Sequence, residues 1–160
     1  MAVISDNWPD INVTLVDIDK DKIKAWNNED LDKLPIYEPG LKEVVSRNRN
    51  KNLFFSTNIK DSIKYADMVF ISVNTPTKTT GLGSGYASDL KWVESSAREV
   101  AKYAKGHTII VEKSTVPVKT AELIKEILLR SEKKLDLSKK SFSVLSSPEF
   151  LAEGTAIKDL

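Results

Sequence analysis

Apolar residues come in short blocks along this chain. β-Branched or aromatic runs recur as "INVTLVDID" (11–19), "LFFST" (53–57), "MVFISV" (68–73), "HTIIVEKS" (107–114) and "FSVLSS" (142–147). Runs this short, bounded by polar or turn-forming residues, predict buried strands. Helical spacing fills the gaps. "DKDKIKAWNN" predicts a short helix with Asp19 as its N-cap, and "GLKEVVSR" places Leu41, Val44 and Val45 on one face. "NIKDSIKYAD" predicts another short helix, and "SDLKWVESSAREVAKYAK" carries Leu90, Val93, Ala97, Val100 and Ala104 on a single stripe. "TVPVKTAELIKEILLRSE" predicts a helix with Pro117 near its start.

Strands separated by helices predict βαβ units: an α/β, Rossmann-like, mostly parallel sheet with helices on both faces and right-handed crossovers. At 160 residues the chain fits one domain with a sizeable core. There is no internal repeat or low-complexity tract, and 131–141 is the one linker candidate. Lys+Arg (24) nearly balance Asp+Glu (23), which argues against nucleic acid or an anionic membrane as partner. The absence of cysteine removes disulfides, thiolate metal sites and thiol nucleophiles, and no metal site is expected. "MAVISDNWPD" has neither a basic n-region nor a long apolar run, so a cytoplasmic setting is expected. "RNRNKN" (47–52) and "SEKKLDLSKK" (131–140) read as solvated loops or helix ends.

Ligands of open parallel sheets bind beyond the carboxyl ends of the strands, which singles out four places. Asp17 ends "VTLVD", where a carboxylate can accept both hydroxyls of an adenosine ribose and repel a 2′-phosphate; alternatively Asp17 or Asp19 caps the next helix. "SVNTPT" (72–77) is a stiff polar turn that can meet a ribose or phosphate, or is a plain loop. "VEKSTVP" (111–117) joins a strand to a predicted helix start, where Ser114 and Thr115 either cap the helix or face a polar ligand. In "SSPEFLAEG", Pro148 fixes the chain as it leaves a strand, and Glu149 can accept or relay protons there; otherwise Glu149 and Glu153 are exposed acids on a first helical turn. "GLGSG" (81–85) is not a dinucleotide fingerprint, because position 86 is Tyr and no tight strand-to-helix turn surrounds it; it reads as a flexible loop.

Taken in order, "VTLVDID…AWN", "LPIYEPGLKEVV", "KNLFFSTNI", "MVFISVNTPTKT", "IIVEKSTVPV" and "SPEFLAEGTAIKDL" resemble the amino-terminal NAD-binding domain of animal-type UDP-glucose 6-dehydrogenases over nearly the whole chain. That family oxidises UDP-glucose to UDP-glucuronate with two NAD+, in two successive two-electron steps through a cysteine thioester. The resemblance implies cofactor contacts from Asp17, Lys22, Val73, Asn74, Thr75, Pro76, Thr77, Ser114 and Glu153. It implies Glu149 as general acid/base, Thr115 near the reacting sugar, and a substrate-lining segment Glu149, Phe150, Leu151, Ala152 and Glu153. UDP-glucose as substrate and a homo-oligomer of the complete enzyme follow from the same likeness.

Some features depart from the family. Ser147 stands where the family usually has Asn, and "NNEDLDK" looks slightly longer than usual. Members begin with an earlier strand and a G-x-G-x-x-G turn and continue into a second domain with the nucleophilic cysteine. Residues 1–160 therefore read as a truncated NAD-binding domain, incomplete at its start and without the nucleotide-sugar domain, inactive alone. Losing a central strand is expected to leave neighbouring sheet edges open. Two other readings stay open: a non-catalytic product that associates with full-length subunits, and a dehydrogenase of another nucleotide sugar such as GDP-mannose or UDP-N-acetylmannosamine.

Overall fold

A computed structural model of the protein describes residues 1–132, 140–148 and 154–157. Among the described residues both sheets are parallel, as buried β-branched runs separated by helices require. The strands form two sheets that belong to two compact units, 1–62 with 150–160, and 63–149.

In the first unit, β1 (Val13–Val16) pairs with β2 (Leu53–Ser56), with Val13 opposite Leu53 and Val16 opposite Ser56. Helices α1 (Ala2–Asn7), α2 (Lys20–Trp26) and α3 (Leu41–Asn48) surround the pair. The core gathers Val13, Ile23, Trp26, Leu41, Val45, Leu53 and Phe55, with Trp26 stacked on Phe55 at 4.9 Å between ring centres. Helix α1, six residues long and without a side-chain cap, escapes a pattern reading. What holds it is tertiary: Val3 is buried, and Asp6 accepts bonds from Arg47 (2.7 Å) and Asn48 (2.7 Å), which together hold its carboxyl below the usual range.

That contact revises the reading of "RNRNKN" as solvated. The stretch does hold a helix end, but Asn48 and Asn52 are buried. Asn52 donates to the carbonyls of Ser5 (2.7 Å) and Ile11 (3.3 Å), and Arg49 donates to those of Trp26 (3.0 Å) and Asn28 (2.6 Å). These side chains act as caps, bonding carbonyls at the ends of α1 and α2 and in the loops that follow them.

In the second unit the order is β3 (Met68–Ile71), β4 (Gly106–Glu112), β5 (Lys140–Ser146), with Ile110 opposite Val69 and Val144. Helices α5 (Lys91–Tyr103) and α6 (Thr120–Glu132) pack on one another, α5 also on β3 and α6 on β5; α4 (Ile59–Lys64) precedes β3. Val93, Ala97, Val100 and Ala101 of α5, with Ile124 and Leu128 of α6, are buried. They bury one sheet face, that of Ile71, Thr108, Ile110 and Glu112. On the other face Met68, Ser141, Ser143 and Leu145 are exposed, and the alternating "KSFSVLS" of β5 is the pattern of a strand covered on one side. Among the described residues β1 pairs only with β2 and β3 only with β4, so each keeps an open edge.

Helix α6 begins at Thr120, five residues later than "TVPVKTAELIKEILLRSE" predicts. Thr120 donates its backbone N–H (3.3 Å) and its hydroxyl (2.8 Å) to the Pro117 carbonyl, and Lys119 at φ 73° turns the chain into the helix.

Candidate cofactor site

At the end of β1 the backbone N–H of Asp17 donates to the Ser56 carbonyl (3.3 Å), which keeps the strand pair closed up to the turn. Of the two acids, Asp19 is the one that takes the capping role. Asp19 caps α2, accepting from the backbone N–H of Asp21 (2.9 Å) and Lys22 (3.2 Å). Asp17 accepts the Asp19 N–H through Oδ1 (2.9 Å), and its Oδ2 lies 3.7 Å from Lys22 Nζ. Both side chains are partly exposed, so the carboxylate keeps acceptor capacity beside a cation. This geometry suits a diol such as a ribose.

The second unit brings together two loops that lie 40 residues apart in sequence. Val73 N–H donates to Ser114 Oγ (3.0 Å), Ser114 Oγ donates to the Ile71 carbonyl (3.4 Å), and Thr75 Oγ1 donates to the Thr115 carbonyl (2.8 Å). Ser114 is buried and spends its hydroxyl on these ties, while Asn74, Pro76, Thr77 and Thr115 face outward. With α6 starting only at Thr120, Ser114 and Thr115 are not helix caps, and the expected anion site at a helix start is absent from this junction.

The stretch after Val73 is also organised. Thr77 bridges Ser88, Lys78 N–H donates to the Ala87 carbonyl (2.7 Å), and Asp89 N–H donates to the Pro76 carbonyl (2.6 Å). "GLGSG" forms the tip of this excursion as a loop of hydrogen-bonded turns. At Gly83 a Cβ would meet that of Ala87 at 2.8 Å, so the turn excludes a side chain there.

Sequence reasoning passes over Glu112, the last residue of β4, which is fully buried. Its Oε2 accepts from Ser146 Oγ (3.0 Å), its carbonyl accepts from Ser147 N–H (2.8 Å), and Oε1 has no partner among the described residues. Burial raises its pKa, an effect that hydrogen bonds from Ser146 and the Ser114 backbone oppose. The acid thus ties the end of β4 to the segment that leads into Pro148. Its only sequence signal is an acidic residue closing an apolar run, which Asp17 also shows. Glu149, Phe150, Leu151, Ala152 and Glu153 lie outside the described residues.

Downstream, Gly154 and Ala156 donate their backbone N–H groups to Glu38 (3.0 and 2.9 Å), and Ile157 packs against the core of the first unit. Glu38 was likewise no candidate in the sequence. Among the described residues no cluster of His, Cys, Asp or Glu could hold a metal, and no helix is long and apolar enough to cross a membrane. A cleft of about 200 Å³ lies along α5 and α6, but none of the strand-end residues lines it, and Arg98 and Arg130 are paired there with Glu94 and Glu126.

Comparison with known proteins decides what these strand ends belong to. The model of the UDP-glucose/GDP-mannose dehydrogenase family, NAD binding domain, matches residues 1–160. The chain belongs to this family. Its cofactor is accordingly NAD. A UDP-glucose 6-dehydrogenase of Arabidopsis thaliana is 56% identical over 100% of the chain and 32% of that protein. The UDP-glucose 6-dehydrogenase of Bos taurus is 57% identical over 99% and 31%. The chain thus spans about a third of the length of these relatives. Among solved structures, a GDP-mannose dehydrogenase of Pseudomonas aeruginosa superposes with a TM-score of 0.76 at 30% identity, over 99% of this chain and 36% of that one. A UDP-D-ManNAc dehydrogenase of Pyrococcus horikoshii gives 0.78 at 25% identity, over 99% and 35%. The Rossmann-like α/β class read from the strand and helix pattern holds.

Proposed function

We propose that this chain is the cofactor-binding part of an NAD-dependent UDP-glucose 6-dehydrogenase. In the complete protein the hydroxymethyl carbon of UDP-glucose and one water become a carboxylate. Four electrons pass to two NAD+, each of which accepts a hydride. The observation that carries the reading is the knot of Val73, Thr75, Ser114 and Thr115, which sets the polar turn beside the strand end. Identities of 56–57% to UDP-glucose 6-dehydrogenases, against 25–30% to the GDP-mannose and UDP-D-ManNAc enzymes, favour glucose as the sugar.

In this reading Asp17 accepts from the adenosine ribose, Lys22 steadies that carboxylate, and Val73 to Thr77 with Ser114 contact NAD. Ser114 acts chiefly by holding Val73, given its burial. Thr115 stands near the reacting sugar, Glu149 moves the proton through water, and Glu153 lies by the nicotinamide. Phe150, Leu151 and Ala152 complete the wall along the sugar nucleotide. The chain has no cysteine, so the thioester step needs residues from elsewhere, and the chain alone is inactive. The complete protein is read as a cytoplasmic homo-oligomer.

Purified chain should form no NADH from UDP-glucose and NAD+, and turnover above a protein-free control would refute its inactivity. It should bind NAD weakly, more tightly than NADP, with the preference lost in Asp17→Ala; equal affinity for both cofactors in the parent chain would remove Asp17 from the ribose. A second reading, a non-catalytic subunit that joins longer chains, draws on the open edges of β1 and β3. Failure to co-purify with an intact relative would count against it.

A further inference from the structure

Glu112 sits where packing alone would favour an apolar residue. It ends the covered face of β4, after Thr108 and Ile110, and like them it is 0% exposed. The residue opposite it on β3 is Ile71, also buried. An acid in such surroundings loses its hydration, which is costly unless its oxygens find donors. Burial pushes its pKa up, and bonds from Ser146 Oγ and the Ser114 backbone N–H pull it back down.

Those donors lie at the exits of two strands, and a third exit is close by. The Glu112 carboxyl accepts from Ser146 Oγ at the end of β5 (3.0 Å) and from the backbone N–H of Ser114 beyond β4. The peptide that follows Glu112 is pinned on both sides. Its carbonyl accepts Ser147 N–H (2.8 Å), and its N–H, that of Lys113, donates to the Ile71 carbonyl at the end of β3 (2.9 Å). Ser114 Oγ then accepts Val73 N–H (3.0 Å) and donates to the same Ile71 carbonyl (3.4 Å). Thr75 reaches the next residue, donating to the Thr115 carbonyl (2.8 Å). These two ties on the Val73–Thr75 turn therefore end on residues 114 and 115, directly downstream of the acid.

We infer that Glu112 is a positioning residue for NAD, acting through Ser114 to set the place of the Val73–Thr75 turn. The inference rests on the proposed contact of that turn with the cofactor. Glu112 itself, being fully buried, touches no cofactor. Its carboxyl fixes the Ser114 backbone and the Ser114 hydroxyl fixes Val73, so a shift of Ser114 displaces the anchor of the turn.

The test uses the 160-residue chain and variants of similar shape. Glu112→Met keeps the length of the side chain and removes its acceptors, whereas Glu112→Gln retains one acceptor oxygen, which can take the place of Oε2. In Glu112→Met, amide exchange should accelerate about tenfold or more at Ser114, which loses its bond to the acid, and at Val73, which loses its fixed acceptor. Exchange at Ile110 and Leu128 reports whether the unit stays folded. If Glu112→Met unfolds it, Glu112→Asp, one methylene shorter, takes its place with the same expected pattern. NAD affinity, read from saturation-transfer NMR titrations, should fall about tenfold in Glu112→Met and return to within about twofold of the parent in Glu112→Gln. A role in packing alone would leave the folded Met variant at the parent affinity.

Val73 exchange that stays at the parent rate in the folded variant overturns transmission through Ser114. An NAD affinity unchanged in Glu112→Met, or as low in Glu112→Gln as in Glu112→Met, overturns the positioning role while leaving the cofactor reading intact. No transfer to NAD from the parent chain overturns the cofactor reading itself, and the positioning role with it.

Discussion

The strand ends of the two units are organised on different length scales. At the end of β1, Asp17 finds its side-chain partners within five residues, at Asp19 and Lys22. At the ends of β3, β4 and β5 the partners are 34 to 41 residues apart: Val73 with Ser114, Thr75 with Thr115, Ser146 with Glu112. A local motif assembles as soon as its helix does, and its carboxylate stays partly exposed. A long-range knot exists only when three strands are already in register. The first arrangement offers a group to bind with, whereas the second sets loops at fixed spacing.

That contrast can be broken most forcefully from below. Trp26→Ala in the first unit removes the ring stacked on Phe55 and should cost about 3–5 kcal/mol. Fluorescence cannot follow this variant cleanly, so amide exchange at Val45 and Leu53 is the measure, and unchanged protection would mean the core does not depend on the stack. In the second unit Glu112→Ala, measured near pH 4 where the acid is neutral, should cost roughly 2–4 kcal/mol through the cavity left by a fully buried side chain.

Glu112→Gln sharpens the point through pH. Burial raises the folded pKa of Glu112, so the folded chain holds a proton that the unfolded chain releases. Its contribution to stability is complete below the unfolded value of about 4.3 and is lost as pH rises through the folded pKa. Denaturant midpoints of Glu112→Gln relative to the parent should therefore rise with pH across that window; parallel curves would show that the acid is not held neutral. Ser114→Ala should cost about 1–3 kcal/mol by leaving the Val73 N–H without its acceptor. The smallest expected effect belongs to the local motif, where Asp19→Ala removes the α2 cap for about 1 kcal/mol and accelerates exchange at Asp21 and Lys22. Equal costs for Ser114 and Asp19 in global unfolding, with no local exchange change, would erase the distinction between the two kinds of strand end.

The same scales explain what the sequence disclosed. Strands β2 to β5 and helices α2, α3 and α5 follow hydrophobic period, which is written within each segment. Asp19 as a cap follows a rule that spans three residues. Helix α1, the buried asparagines of "RNRNKN", the delayed start of α6 and the closed turns around "GLGSG" all depend on groups outside their own segment. For the site, Asp17 was legible as an acid at a strand tip and "VNTPT" as a polar turn after an apolar strand. Glu112 and Glu38 were not, because a glutamate in a strand or a Pro-Gly turn carries no local mark of being a buried tie or a two-handed acceptor. The family resemblance supplied roles for residues that periodicity could only list as polar.

The stacked pair of Trp26 and Phe55 also makes the protein legible to light. The chain has three tryptophans, and their surroundings differ: Trp26 is 8% exposed, Trp92 43% and Trp8 54%. A small aqueous quencher reaches the last two indoles and leaves the first emitting from an apolar setting. What remains after quenching is a signal from the heart of the first unit, so the assembly of the Asp17 strand pair can be followed in the unmodified chain without any added probe.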